Sequence, residues 1–295
     1  MNNFYEILQF SSKQFIEPLG TKEKFWTQDK KYLFKIGREN TLENCSEKIA
    51  CELAKFINLP CAEYELAVYE NGNISHGVAS SNFLNSTSNL VLGNELLSET
   101  LQEYDKNAKY KLKKYTLDNV LSLHIFLDNA FILENMIGCL VFDVFIGNQD
   151  RHHENWGIVF DERTKEITLA PSFDHAAGIA SKISEEAAKI KLQTKDKNQQ
   201  VLAYCLKSNS AFCDESGRRL KNLDVLKNIL NKNEQNISTF AKQWIEKIAL
   251  VDQNACSSII DKIPNGFIGE FQKLFILEML NINKKLICDL ARENV

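Results

Sequence analysis

Residues 145–177 read FIGNQDRHHENWGIVFDERTKEITLAPSFDHAA, and the fold turns on this stretch. Just upstream, Phe131, Ile132, Leu133, Met136, Ile137, Leu140, Val141, Val144 and Phe145 recur at helical spacing and predict a buried helix. Gly147 is its natural stop, because glycine enters the left-handed conformation that ends a helix without steric cost. A loop over 147–155 follows. Residues 156–160 read as a strand, 161–165 as a turn and 166–170 as the returning strand. Pairing of those strands sets Asn155, at the hairpin's entry, beside Pro171 at its exit, where opposed residues lie roughly 5 Å apart. Pro171 stops the strand and turns the chain, so Asp174 arrives at the same end as Asn155.

Asp150, Asn155 and Asp174 are the residue types that phosphoryl transfer from ATP requires. One carboxylate accepts the proton of the attacking hydroxyl, while an amide oxygen and a second carboxylate hold Mg²⁺ against the phosphates. The step from Asp150 to Asn155 equals the Asp-to-Asn step of the protein-kinase catalytic loop. Taken singly, each is also an ordinary turn former in a place where turn formers belong. What favours a site is the joint arrangement between an apolar helix and a hairpin. His152, His153 and His175 raise a rival reading, a metal hydrolase built on a His/Asp cluster. Adjacent loop histidines rarely point the same way, and no Glu-x-x-His or His-Glu-x-x-His spacing supports that reading. One histidine, His152 foremost, is expected to pack under the loop and fix its backbone.

The segments IGNQDRHHENWGI and LAPSFDHAAGI resemble the catalytic and metal-binding segments of the HipA-like kinases, a bacterial group that includes the kinase toxins of toxin–antitoxin systems. The pattern Gly-Asn-x-Asp-x-His-x-x-Asn followed by Pro-x-aromatic-Asp belongs to that group and to lipid-kinase-like relatives. It is strong over about residues 130–180 and fades past about residue 200. The resemblance implies an α+β, two-lobed, protein-kinase-like fold, with a small sheet-containing N-lobe (1–88) and a mainly helical C-lobe (89–295). It implies Asp150 as catalytic base, Asn155 and Asp174 as metal ligands, His152 as the family's loop histidine, and ATP and Mg²⁺ as cofactors. It further implies a protein substrate, with translation components among the family's targets, and restraint by an antitoxin. The additional amino-terminal subdomain of the long HipA proteins is expected to be absent or a separate partner, because the phosphate loop starts near residue 18.

Composition bounds the rest. The 295 residues are 44% hydrophobic and 25% charged, an ordinary globular balance with room for one two-lobed domain or two small ones. The net charge of −4 offers no bulk electrostatic footprint for direct nucleic-acid binding. The longest apolar stretch, 136–147, contains Asp143 and is too short to span a membrane. The eight cysteines lack Cys-x-x-Cys spacing and the N-terminus lacks a signal-peptide pattern, so reduced cysteines in a cytoplasmic protein are expected.

A kinase also needs a loop over the phosphates and a lysine to grip them. Residues 18–26 supply the loop, with Gly20 for close approach, Thr21 for its hydroxyl and N–H, and Lys22 and Lys24 for charge. Taken alone, the stretch reads better as an ordinary turn with solvated lysines, and the family's autophosphorylated serine has only Ser11, Ser12 and Thr21 near it. Residues 32–36 alternate as a strand with both faces partly apolar, and Lys35 on one of them needs a partner. A helix over 43–57, capped by Asn40 or Thr41, carries the stripe Ile49, Ala50, Leu53, Ala54 and Ile57. Glu43 and Glu47 flank that stripe, and Glu47 matches the family's helix better. The bland alternative leaves Lys35 snorkelling and both glutamates in water. Residues 60–69 and 74–83 read as strands about the turn Glu70–Asn73. The Ser/Asn-rich stretch 80–94 is then either a hinge with adenine beside Ser81 and Phe83, or a plain loop.

Beyond it the periodicity predicts helices over 117–126, 220–230, 237–250 and 268–290, and the polar segment 180–200 is expected to be a solvated loop where a kinase carries its activation segment. The leading function is a Ser/Thr protein kinase. A small-molecule or phosphoinositide kinase, an inactive pseudo-kinase binding module and the metal hydrolase stand behind it.

Overall fold

The computed structural model describes residues 4–13, 15–17, 23–108 and 112–293. Strands β1 (Ile7–Phe10), β2 (Phe15–Ile16), β3 (Lys24–Trp26) and β4 (Tyr32–Ile36) lead into helix α1 (Glu43–Phe56) and the long hairpin β5 (Tyr64–Asn71) and β6 (Asn73–Ser81). They form one sheet in the order β1-β5-β6-β4-β3-β2. The pleat sends alternate residues to opposite faces. Phe25, Phe34, Ala67, Tyr69 and Ala79 close a small aromatic cluster on one face, where the Phe34 ring lies 5.0 Å from Phe25 and 5.6 Å from Phe10. Leu66 and Val78 face the other way and join Ile49, Ala50, Leu53 and Ala54 of α1 in the main core. Lys35 follows Phe34 in β4 and so emerges on the α1 side, directly across from Lys24 of β3.

The start of α1 differs from the expected Asn40 or Thr41 cap. Leu42 occupies the cap position without a side-chain bond. The Thr41 hydroxyl donates instead to the Arg38 carbonyl at 2.8 Å. Leu42 is buried, and its N–H donates to the Ser181 carbonyl at 2.6 Å, so a distant segment fixes the helix start.

The remainder runs β7 (Ser88–Leu92), α2 (Gly93–Thr100), α3 (Leu117–Leu121), α4 (His124–Leu127), α5 (Ala130–Ile146), β8 (Gly157–Asp161), β9 (Ile167–Leu169), α6 (Glu185–Gln193), α7 (Val201–Leu206), β10 (Asn209–Cys213), β11 (Arg219–Lys221), α8 (Asn222–Leu230), α9 (Ile237–Ala249), α10 (Gln253–Ile260) and α11 (Glu270–Glu293). Helix α5 is the buried helix expected from its apolar residues. Asn129 caps it by accepting from Phe131 and Ile132, and Gly147 ends it at φ +64°.

Three elements depart from the sequence reading. The stretch 88–92 is strand β7, the third member of a β7-β8-β9 sheet, rather than a loop. Its Ser and Asn residues suit an edge strand with one face in water, where weak β propensity is overridden by pairing to β8. The single helix expected over 117–126 breaks into α3 and α4, because Leu123 leaves the helical path with ψ 135° and buries its side chain. The polar 180–200 segment is partly helical. Ser184 caps α6 by accepting from Ala187, and the Glu185 carboxylate accepts the Phe271 and Gln272 N–H groups at 2.9 and 3.0 Å, tying α6 to the start of α11. No helix among the described residues is long and apolar enough to cross a membrane.

Candidate active site

Asp143 sits buried inside the apolar helix α5, where an unpaired carboxylate would be costly. Arg151, equally buried, answers it with Nε to Oδ2 and Nη2 to Oδ1, both at 2.8 Å. The remaining guanidinium hydrogens reach outward. Nη1 donates to the Asn155 carbonyl at 2.8 Å and the Phe173 carbonyl at 3.0 Å, and Nη2 donates to Ser172 Oγ at 2.8 Å. Burial alone would depress the Arg151 pKa, but the Asp143 charge and its hydrogen bonds, with smaller help from neighbouring groups, together outweigh it and the guanidinium stays protonated. One cation therefore joins α5, the 148–155 loop and the 172–174 segment. Asn148 completes the loop, its Nδ2 donating to Asp143 at 2.8 Å and its Oδ1 accepting the Asp150 N–H at 3.2 Å.

The expected hairpin forms, but with Ile158 opposite Leu169 and Phe160 opposite Ile167, a register one residue away from the one that would oppose Asn155 to Pro171. Gly157 at its mouth is required by close approach, since a Cβ there would meet the Val91 carbonyl of β7 at 2.4 Å. Asn155 enters the hairpin, and its Nδ2 donates to the Asp150 carbonyl at 2.6 Å. This orients the amide and leaves its oxygen as the group that a hard cation would take. Asp174 adopts a left-handed φ of +58°, and its N–H donates to the Tyr64 hydroxyl at 3.1 Å. The same hydroxyl accepts from Lys35 Nζ at 3.3 Å, and Glu47 Oε1 lies 3.6 Å from that nitrogen. Both Lys35 and Glu47 are buried, so the snorkelling alternative does not describe them. Glu43 turns away and pairs with Arg38 at 2.7 Å. Burial would lower the Lys35 pKa, yet electrostatic interaction with Tyr64, Asp174 and Glu47, and last the hydrogen bond to Tyr64, raise it in balance, so the ammonium persists.

The polar side chains run outward from buried Lys35 through half-buried Asp174 to exposed Asp150. Partial desolvation pushes the Asp150 carboxyl upward and Asp174's charge adds to this, while His152, Arg219 and Lys182 pull it down. Two carboxylates and a carboxamide make an all-oxygen donor set, which suits Mg²⁺ and suits zinc poorly.

The other residues singled out in the sequence divide. Gly20, Thr21 and Lys22 lie outside the described residues. Lys24 belongs to β3 rather than to a loop, opposite Lys35. Ser81 ends β6, and Phe83 stacks on Phe173 with ring centroids 6.1 Å apart, which places the hinge candidate next to the residue before Asp174. His152 does not pack under the loop. It is half-buried, and its Nδ1 accepts the Glu154 N–H at 3.2 Å. His153 is the buried one, with Nδ1 against the Tyr104 hydroxyl at 2.8 Å, because successive loop residues point to opposite sides. His152, His153 and Glu154 have potential ligand atoms within 4.8 Å of one another, but His175 is elsewhere, bonded to Ser172, so the three-histidine cluster is not assembled. Arg151, Tyr64 and Ser172 were not picked out from sequence. For Arg151 the available signal was Asp143, an acid within an apolar helix that requires a cation.

Comparison with known proteins bears on this arrangement. Residues 16–249 match the family model for the HipA-like C-terminal domain. The serine/threonine-protein kinase CtkA of Helicobacter pylori is 27% identical over 255 residues, covering 83% of this chain and 71% of CtkA. The crystal structure of the H. pylori proinflammatory kinase CtkA superposes with a TM-score of 0.76 at 24% identity over 98% of both chains. A chain of the Shewanella oneidensis MR-1 toxin–antitoxin complex of HipA, HipB and operator DNA superposes with a TM-score of 0.58 at 12% identity, over 96% of this chain and 68% of that one.

Proposed function

The chain belongs to the HipA-like C-terminal domain family and has a two-lobed, protein-kinase-like α+β fold, and from this and the site geometry we propose that it is an ATP- and Mg²⁺-dependent Ser/Thr protein kinase. The observation that carries the proposal is that buried Arg151 ties the loop of Asp150 and Asn155 to the segment leading into Asp174, whose charge acts on Lys35 of the Lys35–Glu47 pair. We take residues 1–88 and 89–295 as the two lobes, divided at the first residue of β7.

In this reading Lys35, held by Glu47 and Tyr64, grips the α- and β-phosphates, with Lys24 beside it on the same face of the sheet. Gly20, Thr21 and Lys22 belong to the loop over the phosphates, and Ser81 and Phe83 border the adenine. Asn155 and Asp174 would hold Mg²⁺, which when bound neutralises charge on the phosphate oxygens. Asp150 orients the acceptor hydroxyl and takes its proton, and its raised pKa improves it as a base relative to a free aspartate. His152 supports that carboxylate from the neighbouring turn. The acceptor is a protein hydroxyl, in keeping with the serine/threonine kinase among its relatives. A toxin-type role, with a translation component as substrate and an antitoxin as partner, is carried by the family alone.

Incubation with Mg²⁺ and γ-labelled ATP, first alone and then with lysate protein, tests the proposal. Transfer to Ser or Thr is expected in the wild type, and Asp150→Ala should lower it by about 10²–10⁴-fold while ATP binding survives. Wild-type transfer by Asp150→Ala would refute the assignment of the base.

A further inference from the structure

Behind the proposed site runs a buried polar path that no role above uses. Arg151 Nη2 donates to Ser172 Oγ at 2.8 Å, and Ser172 Oγ lies 2.8 Å from His175 Nε2. The backbone of His175 is held by α1 at both ends: its N–H donates to Glu47 Oε2 at 2.8 Å, and its carbonyl accepts from Ser46 Oγ at 2.6 Å. His175 is fully buried and Ser172 nearly so. The path therefore leads from Arg151, which fixes the loop of Asp150 and Asn155, to Glu47, which faces Lys35.

We infer that Ser172 and His175 form a positioning relay that couples the Lys35–Glu47 pair to the loop bearing Asp150 and Asn155, with His175 as the neutral tautomer protonated on Nδ1. The coupling to nucleotide rests on the kinase reading, whereas the tautomer does not. One feature permits this placement of the proton and a second selects it. Arginine only donates, so Ser172 Oγ accepts from Arg151 and keeps its own hydrogen, which it can give to His175 Nε2 at 2.8 Å when that nitrogen carries the lone pair. Nδ1 of His175 is buried without a hydrogen-bond partner, 3.8 Å from Glu47 Oε2. A proton there faces a carboxylate favourably, whereas a lone pair there would be repelled. The relay thus has one direction, Arg151 to Ser172 to His175 to Glu47, with every hydrogen pointing toward α1. Fixing which nitrogen is protonated also fixes the ring orientation, and with it the backbone that presents Asp174.

The consequence is reciprocal coupling. A change that loosens Ser172 should be felt at Lys35, although Ser172 touches neither nucleotide nor metal in the proposed site. Mutations along such a path alter coupling by about 0.5–2 kcal/mol, which converts to roughly 2- to 30-fold in affinity.

The test uses the full chain with ¹⁵N-labelled histidine at neutral pH, the His175 signal being assigned by its loss in His175→Gln. The wild type is expected to show a protonated Nδ1 and an unprotonated Nε2. In Ser172→Ala the His175 amide should exchange faster with solvent and ATP affinity should fall roughly 2- to 30-fold, with the secondary-structure spectrum unchanged. Ser172→Thr, which keeps the hydroxyl, should restore both. Should the alanine variant not fold, Ser172→Cys, close in volume and a weaker donor, should shift both readouts in the same direction. A wild-type His175 protonated on Nε2, or Ser172→Ala with wild-type amide exchange and ATP affinity, overturns the relay. A wild type that binds no ATP overturns the kinase reading, and the tautomer and amide exchange then decide the relay by themselves.

Discussion

Two buried ion pairs lie on either side of the proposed nucleotide site, and they are built differently. Arg151 donates five hydrogen bonds, two to Asp143 and three to groups on neighbouring segments, all between 2.8 and 3.0 Å. Lys35 makes longer contacts, 3.3 Å to Tyr64 and 3.6 Å to Glu47. Geometry of the first kind is what compensates for desolvating two charges, and an ion pair of that quality serves as a clamp. Geometry of the second kind holds an ammonium charged and in place while leaving it able to take shorter contacts from an incoming anion. On the proposed reading, the difference teaches that burial alone does not distinguish a clamping charge from one that binds phosphate. The completeness of its hydrogen bonding does.

The sharpest way to break that contrast is to remove each cation. Arg151→Met should destabilise the protein by about 3–5 kcal/mol in urea unfolding, because Asp143 is left buried and uncompensated. A loss under 1 kcal/mol would mean that Arg151 is not the clamp described. On the other side, the double variant Lys35→Met/Glu47→Leu removes both charges together and should cost only about 1–3 kcal/mol, mostly because the buried His175 N–H loses its Glu47 acceptor. The same variant should weaken ATP at least about tenfold by calorimetry, equivalent to about 1.4 kcal/mol. Strong destabilisation with unchanged ATP affinity would reverse the assignment of the two pairs. The smallest effect is electrostatic. Asp150 must be ionised to accept a proton, so activity should fall as pH drops through its raised pKa, and the acid limb of kcat/KM should lie above the usual aspartate range. Lys182 lowers that pKa, so Lys182→Ala should move the limb to higher pH, by about 0.1–0.7 units for an exposed charge. A limb moving to lower pH would contradict the sign.

How much of this was visible beforehand depended on how local its cause was. Helix α5, its Gly147 stop and the existence of the hairpin follow from residue periods and one proline, all local properties of the chain, whereas the hairpin's register is one residue off the expected pairing. The periods of strand and helix set Lys35 toward either Glu43 or Glu47, the family resemblance favoured Glu47, and Glu47 is the one that faces it. What escaped was set by distant partners. Strand β7 exists because β8 pairs with it, against the preference of its own Ser and Asn residues. Leu42 starts α1 because Ser181 holds its N–H. Helix α6 is fastened where Glu185 meets the N-terminus of α11, across a gap of more than eighty residues. His153 rather than His152 went inward because Tyr104 waits beneath the loop, and nothing in the loop's own sequence announces that tyrosine. Arg151, set between two residues that drew attention for their chemistry, needed Asp143 to be read as a buried acid before its role made sense.

The central claim is that Asp174 joins a metal to a nucleotide held by Lys35. Calorimetric titration of ATP into the wild type and Asp174→Ala, each with Mg²⁺ and with a chelator, tests it most directly. The account predicts that Mg²⁺ tightens ATP binding to the wild type and that Asp174→Ala abolishes this metal dependence. An ATP affinity indifferent to Mg²⁺ in the wild type, or an undiminished Mg²⁺ effect in Asp174→Ala, would contradict it.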